Sequence, residues 1–162
     1  MEDFDIFGNT CPEKMPPHFF SGARRINYPT AVRASVEAQD YSICPRHWYV
    51  DAVFICEACQ KEFTWTVAEQ RVWFEEYCFW VDSLPKHCLA CRRQRRYLTQ
   101  LRKEYDEILA AARSGSDVKL KQRVIELVDC LESSAGKIPD RMRAARGVCK
   151  RQLKNSAEAG RT

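Results

Sequence analysis

The chain has 162 residues, of which 45% are apolar and 11% aromatic, and this composition excludes an intrinsically disordered protein. Residues 1–91 carry 8 Lys and Arg against 13 Asp and Glu, whereas residues 92–162 carry 18 against 9. The N-terminal sequence lacks the features of a secretory signal peptide, and no apolar run is long enough to cross a membrane. We therefore expect a soluble cytoplasmic protein with two unlike halves and no membrane partner.

The first 47 residues are predicted to be largely irregular, because prolines and glycines interrupt them and no periodicity is sustained. One short helix is expected over residues 30–39, with Thr30 as its N-cap. The segment also carries four side chains of the types that bind zinc: Cys11, His18, Cys44 and His47. Cys-x2-His is a weak signal by itself, so we expect Cys44 and His47 to pack against the next domain. A second zinc site is the alternative.

Residues 48–96 are predicted to form a small domain built on a β-hairpin and a short helix. The run WYVDAVFI has the β-branched and aromatic residues of a strand, and EFTWT alternates like a returning strand. A helix is then expected after Thr66, which stands three residues before Glu69 in the spacing of a capping box. Trp73 and Tyr77 follow at four-residue steps and are expected on the inward face of this helix.

Four of the nine cysteines form two Cys-x2-Cys pairs separated by 28 residues, Cys56 with Cys59 and Cys88 with Cys91. A Cys-x2-Cys turn directs both sulfurs to one side, so two such turns supply the four thiolates of a tetrahedral zinc site. An odd cysteine count without a secretion signal also favours metal binding over disulfides. Haem attachment is excluded because no histidine follows either pair. Rubredoxin-type iron is the less favoured metal.

Further features accompany these cysteines: an aromatic-x-Asp lead-in (Tyr49, Asp51), Phe-x-x-Thr (Phe63, Thr66), a Glu-Gln pair (Glu69, Gln70), and a closing Pro with Cys-x2-Cys-Arg. With these motifs, residues 48–96 resemble the bacterial probable zinc-ribbon domain family. The resemblance implies one zinc ion held by Cys56, Cys59, Cys88 and Cys91, and it implies no activity. The chain departs from the family's pattern because it lacks the usual Gly after the helix.

Residues 97–155 are predicted to be helical and basic, because apolar residues recur there at three- and four-residue steps. We expect one helix that ends at Gly115, a second that has Ser116 as its N-cap and ends at Gly136, and a third that begins near Pro139. Residues 156–162 are expected to form a flexible tail. The chain is therefore predicted to be α+β, with a small zinc ribbon followed by an α-helical hairpin or a three-helix region.

Six arginines are candidates for contact with an anionic partner: Arg92, Arg93, Arg95, Arg96, Arg143 and Arg146. The simplest interpretation of the four that follow Cys91 is a solvated face that also balances the negative charge of the zinc thiolates. The alternative is that these four arginines bind phosphate.

No catalytic constellation or small-molecule site is evident in the sequence. We expect a non-enzymatic zinc-binding module that binds nucleic acid or an acidic partner through its Arg-rich helical region. Two alternatives stay open. One is a protein–protein adaptor with purely structural zinc, and the other is a rubredoxin-like iron or thiol redox protein.

Overall fold

The structure, a computed structural model, describes residues 11–159 and has the predicted α+β class. Its strands are β1 (Arg25–Arg33), β2 (Trp48–Ile55) and β3 (Glu62–Trp65). Its helices are α1 (Val67–Arg71), α2 (Leu89–Ser114), α3 (Val118–Ala135) and α4 (Asp140–Ala159). A π-helical turn (Val72–Glu76) follows α1, and short 3-10 turns occur at Pro12–Lys14, Pro17–Phe20 and Val36–Ala38.

The chain divides into two compact units, and the boundary falls inside α2 after Cys91. We call residues up to Cys91 the metal unit and residues from Arg92 the helical unit. Each unit has a hydrophobic core of its own. Among residues 11–159, no helix combines the length and the apolar character that crossing a membrane requires.

The metal unit is built on an antiparallel sheet in the order β1-β2-β3. From Val50 to Ile55 the central strand β2 alternates buried and half-buried residues, as a strand with one face on a core requires. Its Ala52 is paired with Trp65 of β3, whose indole is fully buried. The core that this sheet covers is aromatic and consists of Phe19, Phe20, Tyr49, Val50, Ala52, Phe54, Trp65, Phe74 and Val81.

The strand β1 corrects two predictions for the N-terminal segment. Residues 25–33 form a strand rather than an irregular stretch, and the helix expected over residues 30–39 is reduced to the turn Val36–Ala38. The register of β1 against β2 shifts between Asn27 and Val32, so the strand contains a bulge. Thr30 serves this bulge instead of capping a helix. Its hydroxyl donates to the oxygen of Asn27 at 2.8 Å and accepts from the amide of Asp51 at 2.9 Å.

The short helix α1 begins as predicted. The Thr66 hydroxyl accepts a hydrogen bond from the Glu69 amide at 3.2 Å, which is the N-cap interaction. The helix then widens into the π-helical turn, where the Tyr77 amide donates to the oxygen of Val72 at 2.9 Å. The extra residue in this turn rotates the following side chains, so Tyr77 is 56% exposed rather than inward-facing.

The helical unit contains α3, α4 and most of α2, as the periodicity predicted. Asp117 caps α3 in place of the expected Ser116, because its carboxylate accepts from the amides of Lys119 at 2.8 Å and Leu120 at 3.3 Å. Gly136 ends α3 with a φ of 70°, a conformation that favours glycine. The core of the unit includes Leu101, Tyr105, Val124, Leu127, Val128, Leu131, Met142 and Cys149.

The helix α4 continues to Ala159, so residues 156–159 are helical rather than part of a flexible tail. The hydroxyl of Ser156 donates to the oxygen of Gln152 at 2.9 Å, and Lys154 forms an i,i+4 ion pair with Glu158 at 3.9 Å. These local contacts favour a further turn of helix. Residues 160–162 lie outside the described part of the chain.

Candidate metal centre

Four cysteine sulfurs meet at one point of the metal unit. The Sγ atoms of Cys56, Cys59, Cys88 and Cys91 all lie within 4.8 Å of one another, and those of Cys59 and Cys88 are 3.9 Å apart. A tetrahedral ion with metal–sulfur bonds of about 2.3 Å separates its sulfurs by about 3.8 Å. The cluster therefore already has the dimensions that a single tetrahedral ion needs.

The first pair lies in the turn between β2 and β3. The Cys56 amide donates to the oxygen of Lys61 at 3.0 Å, and the Gln60 amide donates to the oxygen of Cys56 at 2.9 Å. Gln60 has a φ of 59°, and its side-chain amide donates to the oxygen of Glu57 at 3.0 Å. These bonds close a tight turn, which directs both sulfurs of the pair to one side of the hairpin.

The second pair lies at the beginning of α2. Cys88 directly precedes the first helical residue, Leu89, and Cys91 lies in the first turn. The unpaired backbone amides of a helix N-terminus carry partial positive charge, which favours thiolates. A backbone hydrogen bond from the Glu57 amide to the oxygen of Lys86, at 2.9 Å, joins the chain before this pair to the turn of the first.

The pKa values of two of the four thiols, those of Cys56 and Cys91, are shifted in opposite directions. Burial raises the pKa of the Cys56 thiol, but hydrogen bonds from the backbone of Cys88, Cys59 and Ala58 outweigh this effect and lower it to about 5. Hydrogen bonds to the thiols of Cys88 and Cys56 raise the pKa of Cys91 to about 12. The metal-free cluster therefore keeps protons among its sulfurs, and metal binding must release them.

The backbone around the site is held by two polar residues that the cysteine pattern does not reveal. The fully buried Gln70 of α1 donates from Nε2 to the oxygens of Val50 at 2.6 Å and Trp65 at 3.1 Å, and its Oε1 accepts from the Val50 amide at 3.3 Å. Asp51 accepts from the Val67 amide at 2.7 Å. Gln70 and Asp51 both belong to the motifs on which the resemblance to the zinc-ribbon family rests. Those motifs were the sequence signal that could have identified them.

The second candidate zinc site is not assembled. Among residues 11–159, the four-cysteine group is the one cluster of three or more potential ligands close enough to share an ion. His18 pairs with Asp82 at 3.3 Å, and the Cys44 thiol lies 3.6 Å from the oxygen of Pro45. Cys11, His18, Cys44 and His47 therefore do not converge on one point.

The six candidate arginines fall into two groups. Arg93, Arg95 and Arg96 are exposed on α2, and Arg92 is half-buried. Both candidates on α4 form ion pairs with acidic side chains. Arg143 pairs with Glu132 at 3.1 Å and Asp140 at 2.8 Å, and Arg146 pairs with Glu132 at 2.7 Å and with Asp129. The charges of these two arginines are largely neutralised within the helical unit.

A β-hairpin and a helix N-terminus that bring four cysteine thiols together define a zinc-binding module. Residues 50–99 match a family model described as a probable treble clef domain, and the match includes both cysteine pairs. It covers less than a third of the chain and confirms the zinc-ribbon-like domain predicted there. Comparisons with curated proteins and with solved structures found no match.

Proposed function

We propose that this protein is a non-enzymatic module that holds one Zn²⁺ on its four cysteines and binds nucleic acid through its helical unit. The convergence of the four sulfurs is the observation that carries the metal assignment. An all-thiolate tetrahedral site suits both zinc and iron, and zinc is the usual occupant of two Cys-x2-Cys turns. A reducing compartment such as the cytoplasm keeps such thiols available for the metal.

Three arginines along α2 support nucleic-acid binding, and we call them the basic stripe. Arg95, Arg102 and Arg113 are all exposed and lie at spacings of 7 and 11 residues on one helix. On a helical wheel these spacings place the three within about 20° of one another, and they span about 27 Å along the axis. An arrangement of this kind can follow a phosphate backbone over several nucleotides.

The same face of α2 borders a basic cleft within the helical unit. The cleft has a volume of about 500 Å³ and is lined by Arg102, Tyr105, Asp106, Lys137, Ile138, Pro139, Arg141 and Met142. Within the described residues, none of its three cations forms an ion pair, whereas Arg143 and Arg146 do. The three cations of the cleft are therefore not neutralised by an ion pair among the described residues, and Tyr105, Ile138 and Met142 supply an apolar floor beside them.

Salt-dependent binding to random-sequence DNA and RNA tests this proposal. The triple variant Arg95→Gln, Arg102→Gln, Arg113→Gln should weaken binding and reduce the slope of log K against log salt by about 2 to 3, because each lost phosphate contact lowers it by about 0.7 to 0.9. The matched control is Lys119→Gln, Lys150→Gln, Arg151→Gln, which removes the same charge from three positions outside this set of arginines and outside the cleft. If both variants lose the same affinity for nucleic acid, binding depends on net charge alone and not on the position of these arginines.

A second candidate function is a protein–protein adaptor in which the zinc is purely structural. The observation that favours it is the set of large apolar side chains left exposed on the metal unit. Under this alternative, the protein shows no salt-dependent affinity for DNA or RNA. If the protein binds an acidic polypeptide but no nucleic acid, the basic stripe is a binding surface for an acidic protein.

A further inference from the structure

Two segments of the metal unit lie side by side and leave large apolar side chains in solvent. Asp40 and Trp80 form an isolated parallel β-bridge, and the Val81 amide donates to the oxygen of Asp40 at 3.1 Å. Five apolar side chains from these two segments are between 40% and 87% exposed. We call them the aromatic patch: Tyr41, Ile43, Tyr77, Phe79 and Trp80.

The aromatic part of the patch is held in place by the unit beneath it. The Phe79 ring packs edge-on against Trp73, with centroids 5.4 Å apart, and Trp73 packs in turn against the buried Trp65 at 5.3 Å. The indole nitrogen of Trp80 donates a hydrogen bond to the Asp82 carboxylate at 3.1 Å, and the ring centroids of Tyr77 and Phe79 are 5.7 Å apart. Because these contacts order the rings in advance, a partner that binds them loses little conformational entropy.

The two segments that form the patch carry acidic residues and no Lys or Arg of their own. From Ala34 to Pro45 and from Val72 to Pro85 the sequence contains five acidic residues and no Lys or Arg. Four of these acids are exposed: Glu37, Asp40, Glu76 and Asp82. An apolar centre with an acidic surround complements a surface that carries apolar side chains beside basic ones.

The acidic charge of these segments argues against three other occupants of the patch: a nucleic acid, an anionic lipid and the chain's own N-terminal residues. Phosphate groups of a nucleic acid or of an anionic lipid would meet like charge at the acids. The N-terminal ten residues of the chain contain phenylalanines, but they also carry three acids and no Lys or Arg, so their charge does not match the patch. An arginine side chain, by contrast, can pair with a carboxylate and stack on an exposed aromatic ring.

We propose that the aromatic patch is a docking surface for a partner protein segment in which apolar side chains alternate with Lys or Arg. The aromatic rings supply the anchors of the interface, and the surrounding carboxylates select the charge of the partner. This surface lies within the metal unit and does not depend on the basic stripe of the helical unit.

The test uses short fluorescein-labelled synthetic peptides and the full-length, metal-loaded chain. One peptide alternates Arg and Lys with Leu and Trp. A second has Glu in place of the cations, and a third has Ser in place of the apolar residues. We expect measurable binding of the first peptide by fluorescence anisotropy, with affinity at least about tenfold lower for the other two.

Variants then locate the contact. The double variant Tyr41→Ser, Tyr77→Ser should weaken binding of the first peptide by about tenfold or more, and Asp40→Asn, Glu76→Gln should do so without removing any apolar contact. The matched controls are Tyr97→Ser with Val118→Ser, which are equally exposed apolar residues of the helical unit, and Glu13→Gln with Glu62→Gln. Both controls should bind like the wild type, and all variants should keep their nucleic-acid affinity.

Three results would overturn the proposal. The first is equal affinity for the three peptides, or equal loss in the patch variants and their controls. The second is self-association of the wild-type chain in sedimentation that Tyr41→Ser, Tyr77→Ser abolishes, since the occupant is then a second copy. The third is peptide binding that emerges only when residues 1–10 are deleted, since the chain's own N-terminus then covers the patch.

Discussion

The guanidinium of Arg46 lies 4.5 Å from the centroid of the Phe19 ring, and its Nη2 donates to the backbone oxygen of the same residue at 2.9 Å. Arg46 is fully buried, and its Nε donates to the oxygen of Val81 at 2.6 Å. Three more aromatic rings, those of Phe20, Trp65 and Phe74, lie within 5.5 Å of the guanidinium carbon. One arginine thus joins the segment before β1 to the aromatic core of the metal unit.

Burial of this charge is costly, since it lowers the pKa of Arg46, although Asp82 and Tyr49 act in the opposite direction. No carboxylate hydrogen-bonds to the guanidinium among the described residues, so the aromatic faces and the two carbonyls are its main compensation. We expect Arg46→Met to destabilise the metal unit by about 3 kcal/mol, because it leaves two buried carbonyls unsatisfied.

Urea unfolding followed by tryptophan fluorescence measures this effect, since all four tryptophans lie in the metal unit. The matched control Arg25→Met, at an exposed position of β1, should change the free energy of unfolding by less than about 0.5 kcal/mol. If the two variants unfold at the same urea concentration, Arg46 does not hold the core together.

Gln70 is predicted to be the second polar support of the metal unit. Gln70→Met keeps the length of the side chain but leaves the amide of Val50 and the oxygens of Val50 and Trp65 without their present bonds to that side chain. We expect a loss of about 2 to 4 kcal/mol in tryptophan-detected unfolding. Gln94→Met, at an exposed position of α2, should leave that transition unchanged, and an equally stable Gln70→Met protein would show that the three bonds contribute nothing.

The two Cys-x2-Cys turns and the Thr66 cap could be predicted because each depends on residues close together in the sequence. The spacing of a Cys-x2-Cys turn or a capping box is local, and no distant contact is needed to recognise it. The strand β1 could not be predicted in the same way. Its extended state depends on pairing with β2, and its Pro29 and Thr30 lie in the bulged part of an edge strand, where proline is tolerated.

Buried polar residues and ion pairs were missed for a related reason. The bonds of Arg46 reach the carbonyls of Phe19 and Val81, which are 27 and 35 residues away. Likewise, the sequence shows Arg143 and Arg146 as free positive charge, whereas the packing of α4 on α3 brings them to acids of that helix. Only the tertiary arrangement decides which charges remain available to a partner.

Glu132 gives the helical unit a predictable pH dependence. Hydrogen bonds from Arg146 and then Arg143 hold the pKa of this carboxyl below its ordinary value of 4.5. A lowered pKa in the folded state means that the folded protein binds fewer protons than the unfolded one. The stabilisation is therefore present above pH 4.5 and is lost as the pH falls through the lowered value.

Circular dichroism at 222 nm measures this effect, because the long helices α2, α3 and α4 dominate that signal. We expect Glu132→Gln to have a lower melting temperature than the wild type at pH 7. Its melting temperature should also fall less on acidification than that of the wild type. Glu107→Gln removes a single, longer ion pair with Lys103 and should preserve the wild-type profile. An unchanged acid profile in Glu132→Gln would assign the pH dependence to other carboxyls.

Removal of the metal should unfold the metal unit while leaving the helical unit folded. Metal binding contributes on the order of 10–16 kcal/mol in zinc-finger peptides, which exceeds the stability of most small domains. A strong chelator should therefore abolish the native tryptophan signal and preserve most of the signal at 222 nm. Loss of both signals together would mean that the two units do not fold independently.

Elemental analysis of the purified full-length chain, combined with substitution of one ligand, tests the central claim most directly. We predict one zinc ion per chain in the wild type and in Cys78→Ser, an exposed cysteine outside the cluster, and loss of zinc together with the native tryptophan signal in Cys59→Ser. Substoichiometric metal in the wild type, or a Cys59→Ser protein that stays folded with its full zinc content, would contradict the account.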